Sequence, residues 1–163
     1  MTLADPSETS GHAPGWLLIL ILVLVTVAAG GIVGATNAPG EWYAALDKPA
    51  FNPPSWVFGP VWTLLYAMVG WAGARTYARL GADSGPFRLW VVQLVLNLIW
   101  TPIFFTLHSL PMAALEIVLL LGTIAAFMGS VRGRDAPSFW LFVPYAAWVS
   151  FATVLTWTIW LMN

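Results

Sequence analysis

The side chains best suited to chemistry in this sequence are amides and indoles that recur at helical spacing inside apolar segments. One set follows positions i, i+4, i+7 and i+8 and consists of Gln93, Asn97, Trp100 and Thr101. This spacing places all of these side chains on one face of a helix. A polar face on an apolar helix either forms hydrogen bonds to neighbouring helices or lines a cavity, and the sequence leaves both interpretations open.

Two further helical stripes are rich in aromatic rings. The first contains Phe58, Trp62, Tyr66, Val69 and Gly73, and the second contains Tyr145, Trp148, Ala152 and Leu155. Among the eleven tryptophans, Trp62, Trp100 and Trp148 lie within apolar segments rather than near their ends, where interfacial tryptophans collect. Aromatic stripes commonly serve core packing. Three stripes with amide groups between them also favour a pocket for a flat, largely apolar ligand.

Few other groups could take part in chemistry. Glu116 is the one carboxylate well inside an apolar segment; it is either an interfacial carboxylate favoured by its helix N-terminus or a contact for a proton or ligand. His108 is either exposed to water or a ligand to haem iron. Because the chain has no cysteine, disulfides and thiolate metal sites are excluded, and we predict no metal site.

The elements that hold these side chains are predicted to be membrane-spanning helices. The chain is 60% hydrophobic and 8% charged, whereas an ordinary soluble domain is roughly 25% charged. A soluble fold of this size could not bury so much apolar surface. The net charge is close to zero and the basic residues do not cluster, so the sequence does not indicate nucleic-acid binding. We therefore predict an integral, multi-pass membrane protein of the all-α class.

Five apolar runs are long enough to cross a bilayer as helices. They extend over Trp16–Asn37, Ser55–Leu80, Phe87–Leu107, Pro111–Val131 and Pro137–Met162. Short connections between the later runs predict antiparallel neighbours. We expect residues 1–15 to be a disordered polar tail and residues 16–163 to be one five-helix domain. No internal repeat is evident, which argues against a duplicated transporter.

The basic residues orient the chain. With five spans, Arg75, Arg79, Arg88, Arg132 and Arg134 fall on the side of the N-terminus, and Lys48 alone falls on the other side. Cytoplasmic loops collect lysine and arginine, so the N-terminus and the arginines are predicted to be cytoplasmic. This orientation applies to an inner membrane, and the sequence leaves inner versus outer membrane open.

A proline-rich stretch, KPAFNPPSWVFGPVW, joins the first two spans. Prolines hold such a segment in an extended shape of low conformational entropy. The stretch is therefore either a stiff connector or a lid. In the second case Phe51, Trp56 and Phe58 cover a pocket at the start of the second span.

Three segments, in this order, resemble the TspO/MBR family of translocator proteins and peripheral-type benzodiazepine receptors. They are EWYAALDKPAFNPPSWVFGPVWTLLY, QLVLNLIWTPIFF and FVPYAAWVSFATVL, and the resemblance runs from Gly34 to the C-terminus. It implies a five-helix bundle, usually a homodimer, with a pocket capped by the loop between helices 1 and 2. It also implies binding of protoporphyrin IX, haem and other flat lipophilic ligands, with no required cofactor. The weak pair Gly30 and Gly34 fits either internal packing or dimer formation.

The resemblance also implies roles for individual residues of this sequence. Family pocket positions match Phe58, Trp62, Tyr66, Asn97, Trp100, Trp148 and Ala152. Trp62 and Trp148 match the tryptophans tied to light-dependent porphyrin degradation in some bacterial members, so they are the candidate catalytic residues. To the pocket we add Phe51 from the loop, Gln93 from the polar face and Tyr145 from the aromatic stripe. Lys48, the only cation on the loop side, could reach the propionates of a porphyrin.

The sequence departs from the family pattern in three places. Phe51 stands where many members have tryptophan, and Leu155-Thr156 replaces a Leu-Asn pair. Near the C-terminus no tyrosine is followed by lysine or arginine, so we expect the sterol-recognition motif of animal members to be absent. The favoured function is a tetrapyrrole sensor or carrier, with photodegradation as a possible activity and sterol or lipophile transport as the alternative.

Overall fold

The computed structural model describes residues 15–163, and these residues form helices and no strands. The helices are α1 (Trp16–Thr36), α2 (Glu41–Ala45), α3 (Ser55–Leu80), α4 (Gly85–Phe105), α5 (Leu110–Val131) and α6 (Ala136–Met162). All but α2 are long and apolar enough to cross a membrane. The prediction of an all-α protein with five membrane-spanning helices is therefore confirmed. The predicted tail lies, except for Gly15, outside the described residues.

The helix bounds differ from the predicted ones by at most two residues, and local chemistry explains the clearest difference. Helix α4 begins at Gly85 rather than Phe87 because the Ser84 side chain accepts a hydrogen bond from the Phe87 N–H and caps the helix. Pro86 then occupies the first turn, where its missing N–H costs nothing. The short helix α2 was not predicted; it lies within the loop that joins the first two spans.

The five long helices form a closed bundle. Helix α1 packs on α3, α3 on α6, α6 on α5 and α5 on α4, and α4 closes the ring against α1 and α3. The main hydrophobic core lies inside this ring and is built from α3, α4, α5 and α6. The candidate polar and aromatic side chains therefore project from four helices toward one interior.

Helices α1 and α3 approach closely because small residues line their contact. A Cβ atom at Gly70 would lie 2.5 Å from Thr26 Oγ1 and 2.6 Å from the Leu22 carbonyl oxygen. Thr26 is fully buried and its hydroxyl donates to the Tyr66 carbonyl oxygen at 2.8 Å. Gly30 packs directly on the Tyr66 ring. In the pair Gly30 and Gly34, the first residue thus serves internal packing.

At one end of the bundle a charged network ties α3 to the start of α6. Arg75 donates two hydrogen bonds to Asp135, at 2.6 Å and 3.2 Å. The Ser138 hydroxyl donates to the same carboxylate at 2.5 Å. Arg79 lies 3.7 Å from it. The antiparallel helices also bring Arg88 to this end, which we call the arginine end.

At the opposite end, which we call the loop end, polar side chains make their contacts with backbone groups. The ammonium group of Lys48 donates to the carbonyl oxygens of Tyr43, Ala44 and Leu46 at 2.7–3.1 Å. The Asn163 amide bonds both the N–H and the carbonyl of Asp47, each at 3.0 Å. These bonds hold the loop against the C-terminal end of α6.

Candidate functional site

The centre of the bundle contains a buried cluster of tyrosines and amides. The Tyr66 hydroxyl on α3 donates to Asn97 Oδ1 on α4 at 2.5 Å. Tyr145 on α6 is fully buried nearby, close to Asn97, Tyr66 and Glu116. The Trp62 ring lies 5.5 Å from the Tyr66 ring and 6.4 Å from the Tyr145 ring, centroid to centroid. Three helices thus bring these predicted pocket residues into one aromatic and polar cluster.

Two buried side chains, Gln93 and Glu116, have acceptor oxygens without a hydrogen-bond donor. Gln93 is fully buried; its amide N–H donates to the Trp90 carbonyl oxygen at 2.9 Å, and its Oε1 atom has no partner. Both carboxylate oxygens of Glu116 are buried and likewise without a partner. The interpretation of Glu116 as an exposed interfacial carboxylate is not supported, because the side chain is 7% exposed and both of its oxygens are buried.

Four tryptophans of the bundle differ in whether the indole N–H has a hydrogen-bond partner. Several act as links between helices: Trp90 donates to the Val69 carbonyl oxygen at 2.8 Å, Trp100 to Ala113 at 3.2 Å and Trp157 to Ala114 at 3.0 Å. The buried Nε1 of Trp148 has no partner. A buried indole N–H is normally hydrogen-bonded, so the unpaired N–H of Trp148 is the exception among these four.

Trp148 lines a cavity of about 420 Å³ between α3 and α6. The other lining residues are Val61, Leu64, Leu65, Pro144, Ala147 and Phe151. Its walls are almost entirely apolar, and its volume is within the roughly 300–1,000 Å³ typical of small-molecule sites. We call it the Trp148 cavity. Leu64 is exposed on the outer face of α3, so the cavity faces the lipid side of the bundle.

A chain of packed aromatic rings extends from this cavity toward the loop end. The Phe58 ring is 6.0 Å from Trp148, and Phe151 is 5.6 Å from Trp148 and 6.3 Å from Phe51. Phe51 is 49% exposed and Trp56 is 76% exposed. The loop therefore contributes Phe51 to the rim beside α6, while Trp56 points away from the bundle.

The structure places the predicted site residues in two groups. Trp62, Tyr66, Asn97 and Tyr145 belong to the central cluster, with Gln93 on the same face of α4. Of Phe51, Phe58 and Trp148, only Trp148 lines the Trp148 cavity; Phe58 packs against Trp148, and Phe51 packs against the lining residue Phe151. Trp100 stacks on Phe104 at 5.0 Å and links α4 to α5, and Ala152 packs against the main core. Trp62 is not among the residues that line the Trp148 cavity, although its neighbour Val61 is.

Two side chains of the loop end have structural partners that the sequence did not suggest. All three donors of the Lys48 ammonium are engaged by backbone carbonyls, so none is left for a propionate. The His108 ring stacks on Trp42 at 4.1 Å, outside the central cluster. No group of three or more His, Cys, Asp or Glu side chains within residues 15–163 could hold a metal ion.

Tyr43 in helix α2 shows how far the loop is withdrawn from water. Burial raises the pKa of Tyr43 above its ordinary value, and its hydrogen bond to Asn52 opposes that shift. The Tyr43 ring packs edge-on against Phe104 and Phe105 at the end of α4. The loop is thus packed onto the helix ends and not detached from them.

Sequence patterns missed several of these features. The link between Arg75 and Asp135 joins residues sixty positions apart, and no local spacing indicates such a contact. The lining residues of the Trp148 cavity other than Trp148 are ordinary apolar residues. Pro144 was the one local signal, because a proline inside a helix leaves a carbonyl unpaired and loosens the packing there.

Fold and site together define a multi-pass α-helical membrane protein with an apolar, tryptophan-lined cavity between two helices. The TspO/MBR family model matches residues 15–161. The chain is 39% identical over 155 residues to the tryptophan-rich protein TspO of Chlorobaculum tepidum, covering 90% of this chain and 97% of that protein. This chain belongs to the TspO/MBR family, and the resemblance seen in its motifs is confirmed.

Two other relatives have names that describe a role. The tryptophan-rich sensory protein of Cereibacter sphaeroides is 36% identical over 140 residues, covering 86% of this chain and 87% of that protein. The translocator protein of Ovis aries is 34% identical over 158 residues, with 93% of each chain covered. Bacterial and animal relatives thus match nearly the whole length of the chain.

Proposed function

We propose that this protein binds a flat tetrapyrrole, such as protoporphyrin IX or haem, within the membrane and acts as its sensor or carrier. The observation that carries the proposal is Trp148, whose buried indole N–H has no partner and which lines an apolar cavity of about 420 Å³. The names of the relatives, a sensory protein and a translocator protein, agree with such a role.

The residues around the cavity suit a macrocycle that is apolar across its faces and polar at its edge. Leu65, Ala147 and Phe151 offer apolar walls, and the ring of Trp148 offers a stacking surface. The indole N–H would donate to an acceptor at the edge of the ligand. Because the ammonium of Lys48 is engaged, the proposal assigns it no contact with the ligand.

The test of binding is the quenching of tryptophan fluorescence by protoporphyrin IX, titrated in the dark into the detergent-purified protein. The wild type is expected to show saturable quenching. Trp148→Phe removes one donor and part of the stacking surface, so we expect affinity to fall about five- to tenfold. Trp56→Phe is the matched control, because Trp56 points away from the bundle. Absence of saturable quenching in the wild type, or equal affinities in both variants, would refute the proposed site.

A second candidate function is light-dependent degradation of the bound porphyrin. It is favoured by the position of Trp62, whose ring packs against two buried tyrosines, Tyr66 and Tyr145. Adjacent oxidisable rings could pass an oxidising equivalent away from an indole beside an excited porphyrin, with the ligand supplying the photochemistry. Protein-dependent loss of porphyrin absorbance under light, beyond a control without protein, would support this activity.

The roles of the two tryptophans in that reaction can be separated. Trp62→Phe is expected to retain porphyrin binding and to lose light-dependent turnover, whereas Trp148→Phe should weaken both. Full turnover in Trp62→Phe would remove Trp62 from the reaction. Stable absorbance of the wild-type complex under light would leave a binding protein without this activity.

The alternative of sterol or lipophile transport predicts a different result. The Trp148 cavity faces the lipid side of the bundle, which would suit exchange of a lipophile with the bilayer. Uptake of a labelled lipophile by proteoliposomes that contain the protein, with no porphyrin-dependent quenching, would favour transport. A proteoliposome with the Trp148→Phe variant provides the control for passage through this cavity.

A further inference from the structure

A second cavity lies on the same seam between α3 and α6, at the arginine end. Its volume is about 320 Å³, and it is lined by Met68, Trp71, Arg75, Pro137, Trp140 and Leu141. Trp71 and Trp140 are both exposed on the outer surface of the bundle. All lining side chains except Arg75 are apolar or aromatic. We call this cavity the Trp71–Trp140 groove.

The charges at the end of the groove do not cancel. The Asp135 carboxylate, whose side chain is fully buried, faces two guanidinium groups. Arg75 holds it at 2.6 Å, and Arg79 lies 3.7 Å away with 37% of its side chain exposed. One carboxylate neutralises one guanidinium, so a positive charge remains at the surface one turn beyond Arg75.

The groove and Arg79, one turn beyond its α3 residues Met68, Trp71 and Arg75, together match the depth of one leaflet of a bilayer. From Met68 to Arg79 the helix rises about 16 Å at 1.5 Å per residue. A hydrocarbon core is roughly 30 Å thick, so each leaflet contributes about half of it. Arg79 then lies at the membrane surface, while Met68 lies near the midplane. Trp71 and Trp140 flank the path between them.

We propose that the Trp71–Trp140 groove binds an anionic phospholipid of the leaflet at the arginine end. One acyl chain lies in the groove between the two tryptophans, and the phosphate lies beside Arg79 and the outer edge of Arg75. A basic residue at the membrane end of an apolar groove suits an amphiphile with its charge at one end. A neutral lipid or a sterol would leave the surplus charge of Arg79 without a counterion.

The network around Asp135 keeps this site in place without a ligand. Arg75 is held by two hydrogen bonds and Asp135 also accepts from Ser138. Within this network, Arg79 makes the longest contact, 3.7 Å, and its side chain is 37% exposed, so it can turn toward a phosphate. Arg79 is therefore the residue to change, since the bonds between Arg75, Asp135 and Ser138 remain in Arg79→Gln.

The experiment measures bound lipid by native mass spectrometry, with the purified protein in detergent and an equimolar mixture of phosphatidylglycerol and phosphatidylcholine. The wild type is expected to retain phosphatidylglycerol in preference to phosphatidylcholine. Arg79→Gln should reduce that preference about fivefold, the effect of one basic residue near a membrane surface. Arg88→Gln is the matched control, because it removes a charge at the same end from α4, which does not line the groove. Equal retention of both lipids by the wild type, or equal losses in both variants, would overturn the proposal.

A second variant tests the acyl-chain part of the site. Leu141→Trp fills the groove and keeps every charge, so it should reduce retention of phosphatidylglycerol at an unchanged thermal unfolding midpoint. If Leu141→Trp retains lipid like the wild type, the groove is not where the chain lies. Inorganic phosphate should fail to displace the lipid at millimolar concentration. Displacement by phosphate alone would mean that the site recognises a free anion, which would also refute the proposal.

Discussion

The two ends of this bundle are held together by different kinds of interaction. At the arginine end a buried carboxylate, Asp135, joins α3 to α6 through charged hydrogen bonds. At the loop end, Lys48 and Asn163 bond backbone groups, and aromatic rings pack edge to edge. A buried ion pair is costly to break, whereas single hydrogen bonds to backbone groups near the surface are individually weak. The arginine end is thus suited to anchor the bundle, and the loop end is suited to open for a ligand.

Removing the buried carboxylate should have the largest effect. Asp135→Ala leaves Arg75 partly buried without its partner, so we expect the free energy of unfolding to fall by about 3–5 kcal/mol. The measurement is unfolding in mixed micelles, followed by helical circular dichroism. Asp83→Asn, an exposed carboxylate at the same end, is the control and should be close to neutral. A loss below about 1 kcal/mol for Asp135→Ala would mean that the arginine end is not the anchor.

The contact between α1 and α3 lies between the two ends and should give the next largest effect. A methyl group in Gly70→Ala meets Thr26 and the backbone of α1 at about 2.5 Å, so overpacking should cost about 1–3 kcal/mol. In Gly31→Ala the added methyl group meets nothing within 4 Å, and helix propensity should make this variant neutral or slightly stabilising. If both alanine variants unfold alike, close approach of α1 is not needed for stability.

The hydrogen bond in the central cluster should matter less for stability. Tyr66→Phe removes the donor to Asn97 and leaves that acceptor buried without it, which we expect to cost about 1 kcal/mol. Tyr77→Phe, an exposed tyrosine of the same helix, serves as the control. Because Trp62 keeps its neighbouring ring in Tyr66→Phe, porphyrin quenching should persist. Loss of quenching together with unchanged stability would instead place the Tyr66 hydroxyl in direct contact with the ligand.

The smallest global effect is expected at the loop end. Lys48→Gln weakens the bonds to the carbonyls at the C-terminal end of helix α2, at a cost below about 1 kcal/mol in overall stability. Locally it should raise amide hydrogen exchange in residues 41–52, because that segment loses its anchor. Asp47→Asn is the charge control, since the bonds of Asp47 to Asn163 use its backbone. Unchanged exchange in Lys48→Gln would show that the loop end does not depend on this ammonium.

The fold was largely predictable because membrane helices are defined by local composition. An apolar run of about twenty residues has few stable alternatives in lipid, so all five spans were found within two residues of their bounds. Helix α2 was not predicted, because five residues carry too little periodicity. The family motifs led to Trp62, Tyr66, Asn97, Trp148 and their neighbours, and the structure brings Tyr66 and Asn97 into direct contact.

The burial of individual polar side chains, and the hydrogen-bond partners they find, could not be predicted in the same way. Glu116 was expected near the interface, and its spacing gave no sign that both oxygens would be buried without a donor. Lys48 was considered as a contact for the propionates of a porphyrin, yet its donors are taken by the loop backbone. In both cases the deciding contacts come from chain segments that local patterns do not place.

By itself, the sequence determined that this protein is a five-helix membrane bundle of the TspO/MBR family. Hydrophobicity, proline positions and family motifs are local properties of the chain, and each can be assessed without knowing which helices touch. Only the tertiary structure decided which polar groups find partners. It paired Arg75 with Asp135 and left the indole N–H of Trp148 beside a cavity. The physical reason is that hydrogen bonds between helices depend on the order and depth at which the helices pack, and that arrangement is a property of the whole bundle.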